Sequence, residues 1–127
     1  MRRIALAALA LTMTTMAGCS SLDATSPNGS LEGTYSLVRL NGQLLPYTFS
    51  SGLTLVSDDL TLYRDGTYSD VSRYSTGSSH SESGYYTNTN GSLYFEPNGS
   101  GSPYQGSISG NVLTEIVSGY TQTFERD

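Results

Sequence analysis

From residue 33 onward the sequence is punctuated by turn dipeptides at nearly even intervals. Asn41-Gly42, Asp65-Gly66, Asn90-Gly91, Asn98-Gly99, Gly110-Asn111 and Ser118-Gly119 each put residues that tolerate positive φ where a tight hairpin needs them. The segments between them are of strand length and rich in Thr, Tyr, Val and Leu. Strands are predicted near 34–40, 43–49, 53–56, 60–64, 67–74, 83–87, 92–96, 104–109, 112–117 and 120–126. Pro46 has no N–H for a ladder, which demotes the second segment to an edge or a strand-like loop and leaves about eight full strands. Little helix-forming material competes, because Ala and Glu are sparse beyond residue 18 and Lys is absent. The expected fold is all-β, an antiparallel up-and-down meander closed into a barrel of about eight strands.

Alternation picks out an interior. Tyr35 and Leu37 share one face of the first strand, Leu60 and Leu62 one face of another, and Leu93 and Phe95 likewise. Tyr120, Gln122 and Phe124 share a face of the last strand. Gly-Thr-Tyr-Ser occurs at 33–36 and 66–69, with a near copy in Gly84-Tyr85-Tyr86-Thr87. A glycine two residues before an aromatic suits a strand that bends at its start and turns a ring inward. The expected interior is Tyr35, Leu37, Leu60, Leu62, Tyr68, Tyr86, Leu93, Phe95, Leu113 and Phe124.

The first eighteen residues differ from the rest. Met1-Arg2-Arg3 is a basic start, Ile4 to Leu11 an apolar run, and Ala17-Gly18 a pair of small residues, the arrangement of an export signal. The apolar run falls short of the ~20 residues that a spanning helix needs. Cys19 is the sole cysteine, so no intramolecular disulfide can form. Met16-Ala17-Gly18-Cys19 resembles the lipobox of bacterial lipoproteins. The resemblance implies a diacylglycerol on the Cys19 thiol through a thioether, cleavage before Cys19, and acylation of the new amine with chains such as palmitate. Each buried methylene contributes about 0.8 kcal/mol, so two or three chains hold a protein on a membrane almost irreversibly. Ser20, where an Asp would signal retention, implies an outer-membrane address in a Gram-negative cell.

On that reading 1–18 is a signal peptide, 19–32 a lipidated tether and 33–127 the barrel domain. The mature chain keeps four Arg against eleven acidic residues, a net charge of −7 (4 − 11). Such a surface repels phosphate backbones, and no nucleic-acid partner is expected. Asn28, Asn90 and Asn98 each open an Asn-Gly-Ser triplet, read as turn chemistry and not as glycan acceptors.

Leu31 to Leu37 (LEGTYSL), followed by Asn41 to Pro46 (NGQLLP), is similar to the opening of small lipocalin-like bacterial lipoproteins. That family starts its first strand with Gly-x-Trp or Gly-x-Tyr and closes an up-and-down barrel. It also carries a late Arg or Lys stacked on the opening aromatic, and Phe124-Glu125-Arg126 stands in the matching place. The resemblance implies that Arg126 closes the barrel over Tyr35, a contact worth about 0.5–2 kcal/mol. The opening also resembles META-type envelope lipoproteins, but their Gly-Cys-Asn segment and later cysteine are missing here.

Residues that carry chemistry are few. His80, the single histidine, lies in the polar stretch 75–83, expected to be an exposed hairpin loop. No second histidine and no available cysteine exist to join it in a zinc site, and no Gly-x-Ser-x-Gly elbow presents a nucleophile. Asp58, Asp59, Asp65 and Asp70 are not spaced as a calcium loop and read as exposed turn carboxylates. Glu115 leaves two arrangements open. If Leu113, Glu115 and Val117 face inward, Glu115 is a polar anchor with Arg39 as its candidate counter-charge; if Val112, Thr114 and Ile116 do, Glu115 is solvated. The solvated arrangement is favoured. No cofactor, metal or enzymatic activity is expected.

Past the signal there are 12 Leu, 2 Ile, 5 Val, 3 Phe and 10 Tyr, roughly enough to fill an eight-stranded barrel but not to line a wide one. The expectation is a lipid-anchored envelope protein that binds a small hydrophobic ligand in a narrow barrel. The alternative is a filled structural barrel that meets an envelope protein through exposed tyrosines such as Tyr63, Tyr85 or Tyr94.

Overall fold

The computed structural model describes residues 30–127. The signal, the lipobox with Cys19, Asn28 and most of the tether lie outside the described residues. Ten strands follow in chain order: β1 (Gly33–Leu40), β2 (Gln43–Leu44), β3 (Tyr47–Thr48), β4 (Thr54–Leu62), β5 (Thr67–Tyr74), β6 (Ser79–Thr89), β7 (Ser92–Pro97), β8 (Tyr104–Ser109), β9 (Val112–Val117) and β10 (Tyr120–Arg126). All but the two-residue β2 and β3 form one closed antiparallel barrel. β4 to β10 pair in sequence, β10 pairs with β1, and β1 pairs with β4 to shut the ring. Closure leaves no long unpaired edge for another chain to extend.

The turn dipeptides do the work that their chemistry allows. Asn41 and Gly42 have φ of 49° and 78°, Asn90 and Gly91 52° and 90°, Ser118 and Gly119 51° and 82°. Two consecutive positive φ values twist the backbone as right-handed hairpin strands require.

Two β-bulges adjust the phase of the side chains. Between Leu37 and Arg39 one residue of β1 is extra to its pairing with β10, so Tyr35, Leu37 and Leu40 all point inward while Arg39 turns out. Arg39 donates to the Gly42 carbonyl at 3.2 Å and is exposed, so it does not serve as a counter-charge inside. The second bulge, between Leu55 and Ser57, joins what the sequence divides into two strands (53–56 and 60–64). It lets Leu55 and then Asp58, Leu60 and Leu62 share the inner face of one nine-residue strand.

Pro46 splits segment 43–49 into β2 and β3, with the Leu45–Pro46 peptide bond cis. The 75–83 stretch is a turn only over 75–78; β6 begins at Ser79, so His80 is an exposed strand residue opposite Ser72 and not a loop residue.

The core consists of Tyr35, Leu37, Leu40, Leu55, Leu60, Leu62, Tyr68, Leu93, Phe95, Leu113 and Phe124, all buried. Tyr86 is partly buried against them. Each fully buried Leu or Phe contributes about 1.5–3 kcal/mol. Tyr68, Phe95 and Tyr104 form an aromatic group, with Phe95 stacked on Tyr104 at 4.9 Å and Tyr68 edge-on to Phe95 at 5.1 Å.

The two ends of the barrel are closed differently. Where β1 begins and β10 stops, Arg126 lies with its guanidinium carbon 5.7 Å from the Tyr35 ring centroid. Arg126 also donates to the Ser30 and Glu32 carbonyls, and the Tyr35 hydroxyl donates to the Leu31 carbonyl at 2.8 Å. Gly33, at φ 144°, leaves room for this seam: a Cβ there would sit 3.0 Å from the guanidinium. At the opposite end the chain leaves the wall after β1. Leu45, Tyr47 and Phe49 pack on the core from that excursion, with Phe49 edge-on to Tyr120 at 5.6 Å.

Candidate functional site

Between the apolar core and the Phe49 end, the barrel wall aims four carboxylates at the interior. They are Asp58 on β4, Asp70 on β5, Glu82 on β6 and Glu115 on β9. Period-two alternation puts them there. Asp70 follows inward Tyr68 by two residues, Glu82 precedes inward Gly84 by two, and Glu115 follows Leu113 by two. Asp58 and Glu115 are each only 3 % exposed. The inward arrangement of β9 is therefore the actual one, and the solvated reading of Glu115 is overturned. Asp58 and Asp70 likewise lie on strands facing the core, not in turns. Of the four aspartates, Asp65 alone sits in a turn, bonded to the Thr67 amide at 3.0 Å, while Asp59 pairs with Arg73 on the outer face at 2.7 Å.

Gly106 makes space for Glu115. It lies opposite Glu115 across the β8–β9 pair, and a Cβ there would approach the Glu115 side chain to 3.2 Å and the Phe95 ring to 3.5 Å.

The hydrogen-bonding supply is unequal. The Tyr68 and Tyr104 hydroxyls both donate to Glu82 Oε1, at 2.7 and 2.9 Å. Ser72 Oγ donates to Asp58 Oδ2 at 3.0 Å. Asp58 Oδ1, Asp70 Oδ1 and Glu115 Oε1 are buried and accept no hydrogen bond from a hydroxyl, an amide or an arginine; Asp70, when protonated, shares a hydrogen bond with Asp58. The four described arginines lie elsewhere: Arg39 is exposed, Arg64 binds Glu32 in a two-pronged ion pair, Arg73 binds Asp59, and Arg126 is at the seam. Taking a carboxylate out of water with neither a cation nor a donor costs several kcal/mol, and the group responds by holding its proton. Burial pushes Asp70 up to about 10, helped by a hydrogen bond with Asp58 and by the charges of Asp58, Glu115 and Glu82. Glu115 is pushed up to about 8, again by burial first and then by Asp58 and Glu82. The Tyr68 and Tyr104 hydroxyls are raised well above their ordinary value by burial, so both remain donors.

A surface cleft of about 390 Å³ opens beside this cluster. β6 begins five residues before its pairing with β7, and its overhang faces the loop after Pro97. Glu82 forms part of the cleft wall, and His80 lies at its rim together with Ser81, Asn98 and Ser100. Glu82 thus joins the outside of the barrel to the acidic interior.

The expected interior residues form one cluster on the core side of these acids, and Tyr35 and Arg126 meet at the far seam. Tyr63, Tyr85 and Tyr94 are exposed on the outer wall. Among the described residues no three His, Asp or Glu side chains are disposed to hold one metal ion, and no helix is long and apolar enough to cross a membrane. The fold is that of an up-and-down β-barrel with a cluster of inward-facing acids in one half. Compared with known proteins, the chain matches no family profile, no curated sequence and no solved structure.

Proposed function

We propose that this chain is a lipid-anchored, extracytoplasmic, non-enzymatic lipoprotein whose lipocalin-like barrel binds a small molecule at its acidic end. The lipobox resemblance around Cys19 supports the anchor. The three buried carboxylate oxygens without such a donor carry the binding reading: a barrel serving as a filled scaffold gains nothing from them, because unpaired acids destabilise the fold. The adjoining cleft is at the lower end of the size range of ligand sites. A hydrophobic ligand is the less favoured occupant, since the apolar half of the interior is packed by Tyr35, Phe95, Phe124 and the leucines.

Two experiments test the halves separately. Metabolic labelling with palmitate should mark the native protein, and Cys19→Ser should abolish the label and release the chain from the membrane fraction. Native mass spectrometry of the chain extracted from its host should show a bound small molecule that Glu82→Gln diminishes. An unlabelled protein refutes the anchor, and a ligand-free spectrum refutes the binding module.

A further inference from the structure

Resting on the binding reading above, we infer that the ligand of the acidic cluster is a small organic cation, an ammonium or guanidinium whose N–H groups donate to Glu115 Oε1 and Asp58 Oδ1. Both side chains are more than nine-tenths buried, neither oxygen accepts from a hydroxyl, an amide or an arginine, and they project into the barrel from β9 and β4, which β10 and β1 separate around the ring. The third such oxygen, Asp70 Oδ1, lies on β5 beside them.

The occupant that completes this set must bring donors and positive charge. An anion is repelled, and a neutral apolar group leaves the three acceptors unpaired. A divalent ion needs several oxygens converging on one point, and the described acids do not converge in that way. A primary ammonium carries three donors and a guanidinium five, directed along separate axes, which suits acceptors on three different strands. The aromatic wall fits the same occupant. Tyr104, stacked on Phe95, and Tyr68, edge-on to it, border the acids and offer ring faces to a cation. Glu82, in the wall of the surface cleft, is the member of the cluster that a cation in solution meets first.

The test is thermal unfolding of the intact protein at pH 7.5 and fixed ionic strength, with n-butylammonium, agmatine, n-butanol or calcium chloride added, alongside NMR titration. The two organic cations should raise the melting temperature in a saturable way and move the Tyr68, Tyr104 and Glu115 resonances, while n-butanol and calcium should not. Glu115→Gln keeps the shape and removes the carboxylate that a bound cation would draw into its ionised form; it should weaken n-butylammonium binding roughly ten- to a hundredfold, the effect of losing one charge-assisted hydrogen bond. Asp58→Asn gives an independent second variant on another strand, β4, and should weaken it similarly.

A larger response to calcium than to the amines overturns the inference in favour of a metal. Equal binding by wild type and both variants overturns it in favour of a surface effect. If the amines do not bind but Glu115→Gln makes the protein more stable, the cluster holds protons only, and the inference falls. The binding reading itself survives if native mass spectrometry still finds a neutral or anionic ligand, and falls with the inference if it finds none.

Discussion

Gly33 and Arg126 show how a single absent methyl group can determine a contact. The guanidinium lies where a Gly33 Cβ would press on it at 3.0 Å, and the backbone there is at φ 144°. Gly33→Ala should therefore destabilise the barrel by about 1–3 kcal/mol through strain and a displaced Arg126. Arg126→Ala should cost about as much, by removing two hydrogen bonds to carbonyls and the contact with Tyr35. Urea unfolding of both singles and the double mutant checks this. The two costs should be less than additive, because without the guanidinium Gly33→Ala retains only its backbone part. Full additivity would mean that the glycine serves the backbone conformation alone. Both residues were legible beforehand, from the spacing of Gly33 to Tyr35 and the late arginine.

At the scale of strands, β4, β5, β6 and β9 together determine how stability depends on pH. Glu115 and Asp70 bind protons more tightly in the folded chain (about 8 and about 10) than in the unfolded one, whose values lie near 4.5 and 3.8. The folded state thus holds the excess protons, and stability falls as pH rises above the unfolded values. The slope reaches about 1.4 kcal/mol per pH unit per group, and it levels off for Glu115 above about 8 and for Asp70 above about 10. Glu32, lowered by its hydrogen bond with Arg64, and Asp65, lowered by Thr67, pull the other way, but both are exposed and contribute little. Urea midpoints should fall from pH 5 through 7 to 9, with Glu115→Gln flattening the part below about pH 8; midpoints that rise over this range would contradict the buried placement.

Seven of the eight barrel strands were readable as single segments and β4 as two pieces, yet the inward placement of the acids was not. Asp58, Asp59 and Asp70 look like turn residues because short acidic side chains favour turns, and the β4 bulge hides the phase that carries Asp58 inside. Asp70 and Glu82 could have been placed by counting in twos from Tyr68 and Tyr86. The Phe49 excursion was unreadable for a different reason: Pro46 breaks the periodicity, and only the contact with Tyr120 shows where the segment goes. Phe49→Ala should cost about 1–2 kcal/mol, less than for a fully buried ring, and should speed amide exchange at Gln122 and Tyr120 more than at Tyr35.

For the whole molecule, the ring closed by β1 and β4 ties every barrel strand to two neighbours, so unfolding should be one cooperative event by fluorescence and circular dichroism alike. The same closure gives the barrel a direction. Ser30, Leu31 and Glu32 are held at the Arg126 seam, and Ser30 lies eleven positions after Cys19 (30 − 19), a span of at most about 40 Å even when stretched. On the lipid-anchored reading, the seam therefore sits toward the bilayer and the Phe49 end faces outward into the medium. A fluorophore on Asp65→Cys, at the seam end, should be quenched by vesicle-borne quencher more strongly than one on Thr76→Cys, at the Phe49 end. Anything reaching the acids would then approach from the aqueous side, without first entering the lipid.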